Sequence, residues 1–134
     1  MSDTSTEPET PALPGDGLRE GIVEALRRDL GEQLLDTYLL PQKDLWVRID
    51  SAAWAVAARA LKLQGFDYFC FLSAIDWMPS PYGKGEDDPS VEPDADDAAA
   101  AAEMRWGVTG GETRFQVFGR VTDLRRHVGV TIKA

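Results

Sequence analysis

Apolar and polar positions along the chain recur with two periods, and the switches between them mark its elements. Leu18, Ile22, Val23, Leu26 and Leu30 repeat at helical spacing, with Arg19, Glu20, Glu24, Arg27 and Arg28 between them. Asp16 stands where an N-cap belongs and Gly31 where a helix stops, so an amphipathic helix is predicted between them. In "DLWVRID" the period falls to two. Leu45, Val47 and Ile49 alternate with Trp46, Arg48 and Asp50, and "QLLDTYLL" precedes them across Pro41, Gln42 and Lys43. This pair reads as a β-hairpin. Ser51 then opens a second helix, "AAWAVAARALKLQ", closed by Gly65, with Trp54, Ala57, Ala58 and Leu61 as its apolar face.

The stretch "FDYFCFLSAIDW", residues 66 to 77, is different. Successive residues of a strand face opposite sides of a sheet. Here one side carries Phe66, Tyr68, Cys70, Leu72 and Ala74, and the other Phe69, Phe71, Ile75 and Trp77. Both sides are apolar, which predicts cover above and below. Two further strands follow, "TRFQVFGRVT" (113–122) and "RHVGVTIKA" (126–134), joined by a short turn at Asp123, Leu124 and Arg125. Phe115, Val117 and Val121 form the predicted core face of the first; Val128, Val130 and Ile132 form that of the second. The predicted order is α-β-β-α-β-β-β. That is an α+β fold with two helices packed on a mainly antiparallel sheet.

Composition narrows the foldable part. Residues 1–17 lack apolar periodicity, and residues 86–103 hold eight acids and no base. Both have the makeup of disorder, because too little apolar surface is present to offset the entropy of ordering. The expected organisation is a disordered tail at 1–17 and a single α+β domain at 18–134, interrupted by a disordered acidic insert at about 79–112. The strand that runs into Ala134 without a turn or cap predicts that the natural chain continues. The overall charge of −9 belongs to the tail and insert; outside 1–17 and 86–103 the sequence carries 11 acids and 14 bases. No dense Lys/Arg stripe points to nucleic acid. No apolar run is long enough for a membrane span, and no signal-peptide core stands at the N-terminus.

The residues of chemistry are few. One cysteine, Cys70, and one histidine, His127, do not make a typical zinc site. Cys70, inside an apolar strand, reads as a small buried residue, and His127 as a surface or sheet-packing residue. "GVTGGET" (107–113) precedes a strand and fits a turn better than a phosphate loop. Asp87, Asp88, Asp94, Asp96 and Asp97 lack the spacing of a calcium loop. No catalytic, cofactor-binding or metal-binding residue is expected. The candidate partner contacts are Asp76 and Trp77, at the end of the apolar strand, and Arg120, Arg125 and Arg126 around the last hairpin. For Asp76 and Trp77 the competing reading is a turn cap or an ion pair with an arginine; for the three arginines it is exposed charge on a hairpin.

The run "GFDYFCFLSAIDW", an interruption, and then "RFQVFGRVTDLRRHVGVTIKA" resembles the thirty-kilodalton subunit family of bacterial NADH:quinone oxidoreductase, respiratory complex I. The matching marks are Ile75-Asp76-Trp77, Arg114-Phe115, Arg125-Arg126 and the alternating strand Val128 to Lys133. The resemblance covers about residues 18–134 less the acidic insert, and lies in the joint order of short motifs. It implies a non-catalytic scaffold subunit of the hydrophilic arm, with no flavin, iron–sulfur cluster or quinone-reducing residue of its own. The implied partners are other subunits of that arm, above all the immediate neighbour on which the family is seated and the iron–sulfur subunits. The implied location is the cytoplasmic side of the cell membrane, held there through the complex. An equivalent subunit of a membrane-bound hydrogenase or formate hydrogenlyase, or a stand-alone α+β protein-binding module, are the alternatives.

Overall fold

A computed structural model describes residues 15–78 and 105–134. Most of the predicted tail and most of the predicted insert therefore lie outside the described residues.

The first helix, α1, spans Gly17–Leu30. Asp16 caps it as expected: its carboxylate accepts from Arg19 N at 3.1 Å and from Arg19 Nη1 at 2.7 Å. The same carboxylate accepts from Gln42 N at 2.6 Å, which fastens the helix start to the turn of the following hairpin. These amides, Gln42 first, hold the Asp16 pKa below its ordinary value. Arg19 is thereby buried while Leu18 is 39% exposed. At the far end Gly31, with φ 56°, turns the chain out of the helix.

The hairpin comprises β1 (Leu34–Leu40) and β2 (Asp44–Ile49), which pair antiparallel. A single 3-10 turn at Ser51–Ala53, capped by the Asp50 carboxylate on Ala52 N, leads into α2 (Trp54–Leu63). Gly65, at φ 99°, closes that helix. The buried stripe of α2 is Ala57, Ala60 and Leu61. Ala58, assigned to the apolar face from its spacing, is exposed instead, and Ala60 takes the place in the buried stripe.

Three strands complete the sheet: β3 (Tyr68–Asp76), β4 (Phe115–Asp123) and β5 (Val128–Lys133). The spatial order is β1-β2-β5-β4-β3, and only the central β2–β5 contact is parallel. The architecture is α+β, two helices on a mostly antiparallel five-stranded sheet. The core lies over the middle of that sheet. Ile22, Val23, Leu26 and Leu30 of α1 and Ala57, Ala60 and Leu61 of α2 meet Leu45, Val47 and Ile49 of β2 and Val128, Val130 and Ile132 of β5. Every residue of β5 is buried.

The other face of the sheet is partly closed by residues 105–112, assigned to the insert on sequence grounds. Lys133 Nζ donates to the carbonyls of Trp106 and Val108, each at 2.7 Å. Arg48 Nε donates to the Thr109 carbonyl at 2.6 Å. Two cations thus pin backbone oxygens of this segment onto the sheet.

Candidate functional site

β3 sits at an edge of the sheet, and its environment is the reverse of the one its composition predicts. Apart from the half-buried Ile75, all of its residues are exposed. Tyr68 is 53% exposed, Phe69 64% and Leu72 59%. Its composition predicts cover on both sides; neither side has it among the described residues. Cys70, read as a buried packing residue, is exposed, with its Sγ 3.2 Å from Thr122 Oγ1.

Register explains which residue faces where. β3 pairs with β4 antiparallel, with a shift between Phe69 and Phe71. The extra residue there, Cys70, flips the alternation. Directly opposed residues of a ladder share a face. Phe69 (opposite Val121), Leu72 (opposite Gly119) and Ala74 (opposite Val117) therefore lie on the helix side. Phe71, opposite Arg120, lies on the other side and meets Phe118 edge-on at 5.8 Å, with Trp46 6.3 Å from Phe118.

The helix layer ends near the middle of β4. A Cβ on Gly119 would lie 3.4 Å from Trp54 Cζ2 and 3.5 Å from Leu72 Cδ1. Beyond that point Val117 and Phe115, predicted to face the core, are 42% and 64% exposed. Gln116, which lies between them and faces the opposite side, is 4% exposed. Its Oε1 accepts from Trp77 Nε1 at 2.6 Å, on the face that residues 105–112 help close. At this margin of the sheet, then, the polar side is buried and the apolar side is open.

The five residues singled out as partner contacts are not brought together. Asp76 accepts from Arg114 through both oxygens, Nε to Oδ1 and Nη2 to Oδ2, each 2.7 Å, and also caps Met78 N at 3.0 Å. The Arg114 fork and then the Met78 amide hold its pKa down at about 2. Trp77 lies next to it, its ring 5.1 Å below Lys133 Nζ. Arg120 lies mid-sheet, donating from Nη1 to Asp44 Oδ1 at 3.1 Å and Thr131 Oγ1 at 2.9 Å. Its guanidinium is laid flat over Gly129, where any Cβ would come within 2.6 Å of Nη2. Arg125 and Arg126 sit at the opposite end of the sheet. Arg126 Nε donates to Asp123 Oδ2 at 2.6 Å and its Cζ is 5.4 Å from the Phe66 ring centre. Arg125, with its side chain 81% exposed, pairs with Asp67 at 2.9 Å. All five side chains are engaged within the chain, and structural roles account for Asp76, Trp77, Arg120 and Arg126.

The Arg125–Asp67 pair borders a shallow cleft of about 330 Å³, lined by Gly65, Asp67, Tyr68, Asp123, Leu124 and Arg125. It holds no nucleophile with an adjacent base. His127, placed by sequence on the last strand, lies in the turn before it, exposed and at φ 52°. Among the described residues no three or more His, Cys, Asp or Glu side chains converge as a metal site, and no helix is long and apolar enough to cross a membrane. Among the described residues, Phe69, Leu72, Phe115 and Val117 form an exposed apolar margin. Sequence reading places these residues in the core, since apolar alternation signals a demand for cover without naming its source. Comparison with family models, with curated proteins and with solved structures gave no match.

Proposed function

We propose that this chain is a non-catalytic scaffold subunit of the hydrophilic arm of a proton-translocating NADH:quinone oxidoreductase. In this role it supports electron transfer from NADH to quinone while carrying no cofactor itself. Its neighbours would be other subunits of the hydrophilic arm, the iron–sulfur subunits among them, and it would sit on the cytoplasmic side of the membrane through them. The observation that carries a docking role is the margin formed by β3 and the start of β4, which among the described residues is apolar and uncovered on the helix side and unpaired at its edge. Such a surface on a free protein invites aggregation, and a permanent partner removes that liability. The respiratory assignment rests on the ordered resemblance of Ile75-Asp76-Trp77, Arg114-Phe115 and the last hairpin to the thirty-kilodalton subunit family.

Purification of a tagged full-length chain from native membranes in mild detergent tests this. The expected result is recovery of iron–sulfur and quinone-reductase subunits in fixed proportion. Recovery with hydrogenase subunits would move the assignment to the related hydrogenase complexes. Recovery with no redox subunit would overturn it in favour of a stand-alone binding module.

A further inference from the structure

We infer that residues 105–112 form a strap that opens as a unit from an otherwise folded sheet, and that this opening is what brings the Lys133 amine to solvent. The inference concerns the far face of the sheet and does not depend on the subunit reading. How a segment is attached decides how it comes away. Strands of a sheet are held by main-chain hydrogen bonds in series. Among the described residues the strap makes none of these to the sheet; its one main-chain hydrogen bond is internal, from Gly110 N to the Gly107 carbonyl at 3.3 Å. Its hydrogen bonds to the sheet come from two side chains on adjacent strands. Lys133 Nζ holds the carbonyls of Trp106 and Val108, and Arg48 Nε holds that of Thr109.

Burying an ammonium is costly unless it is hydrogen-bonded, so the 1% exposure of Lys133 lasts only while the strap's carbonyls are in place. The closed strap carries a cost of its own. Thr109 is 6% exposed and sits at φ 63°, a left-handed conformation that is an outlier for a β-branched residue. Opening relieves it. The sheet has no need to open as well. Arg114, just past the strap, is clamped by both oxygens of Asp76, and its carbonyl accepts from Trp77 N at 2.9 Å.

The closed fit admits no side chain at two points. A Cβ on Gly107 would lie 3.0 Å from Trp77 Cη2. One on Gly111 would collide with Gln116 Nε2 and come within 2.7 Å of Trp106 Cδ1. A methyl group at residue 111 therefore wedges the strap away while leaving both cations as they are.

Acylation of the full-length chain with an N-hydroxysuccinimide ester, read at each lysine by peptide mass, tests the inference. Lys43 and Lys62 are exposed and should react at once. Lys133 should react far more slowly, at a rate that scarcely changes in low urea, because opening the strap exposes little surface. Gly111→Ala should speed Lys133 labelling by about tenfold. Arg48→Met, which removes one pin and leaves Lys133 in place, should also speed it by about tenfold. Both variants should keep a cooperative urea transition; should either fail to fold, the urea dependence of wild-type labelling decides alone. Labelling of Lys133 with the steep urea dependence of global unfolding would put the strap in the cooperative core and overturn the inference. So would unchanged labelling in a folded Gly111→Ala chain. Wild-type Lys133 reacting as fast as Lys43 and Lys62 would overturn it too, since the strap would then not close.

Discussion

Among the described residues β5 and β3 are both apolar strands, yet one is the most enclosed element and the other the most open. β5 lies between β2 and β4, beneath α1 and α2, and its far side is closed where Lys133 holds the Trp106 and Val108 carbonyls. Among the described residues β3 has a neighbour on one flank only, and the helix layer stops at Trp54 and Gly119 before reaching most of it. Position in the sheet, which no local pattern encodes, separates them. The contrast teaches that a two-faced apolar strand states how much cover is needed, and that the rest of the molecule decides how much of it the chain itself supplies. For β5 the supply is complete. For β3 the described residues leave it incomplete.

Perturbing the two strands and their surroundings should therefore have opposite consequences. The largest loss of stability is expected at the enclosed centre. Leu45→Ala, at a side chain with 0% exposure beside β5, should destabilise the isolated chain by about 3 kcal/mol in urea unfolding. Next comes the fastening of the far face. Lys133→Met removes both donors to the Trp106 and Val108 carbonyls and should cost about 2 kcal/mol, with faster exchange or proteolysis across residues 105–112 as the local signature. Burial, then the Arg48 cation, pull the Lys133 pKa down to about 8. The unfolded chain thus binds more protons at this residue between pH 8 and the ordinary value of 10.5. This residue's contribution to wild-type stability should rise across that interval, and Lys133→Met should lack the rise.

Substitutions on the open strand should be nearly silent for folding. Leu72→Ser should change the stability of the isolated chain by no more than about 0.5 kcal/mol; a loss comparable to that of Leu45→Ala would show that β3 is covered after all. The smallest effect is expected from the ion pair at the strand's end. Asp76 has its folded pKa lowered from 3.8 to about 2, so its stabilising contribution is present above about pH 4 and fades as pH falls toward 2. The urea midpoints of wild type and Asp76→Asn should differ at pH 7 and converge by pH 2. A constant difference would show that Arg114 does not hold this carboxylate.

Local signals in the sequence were legible where their cause is local. Asp16, Gly31 and Gly65 punctuate the helices as their chemistry requires, and the hairpin at Pro41–Lys43 follows from two alternating runs and a turn. The buried face of α2 is less legible. Ala58 and Ala60 are the same residue type, and only tertiary packing tells them apart. Gln116 is buried because Trp77, distant in sequence, supplies its partner. The ordering of residues 105–112 depends on main-chain carbonyls, which every sequence has and none advertises. Cys70 illustrates a further limit: one extra residue in β3 inverts the faces of everything before it. The candidate contacts Asp76, Trp77, Arg120, Arg125 and Arg126 stand out by charge and position, and the fold engages each of them internally. The unsatisfied surface is made instead of Phe69, Leu72, Phe115 and Val117, residues whose type suggests the core.

The central claim is that this margin belongs to an interface while the centre belongs to the fold. The double variant Phe69→Ser/Leu72→Ser, expressed as the tagged full-length chain, tests it most directly when thermal unfolding and recovery of redox subunits from membranes are measured together. The account predicts a melting temperature close to wild type and loss of the co-purifying subunits. Wild-type recovery of those subunits by a folded double variant would contradict it.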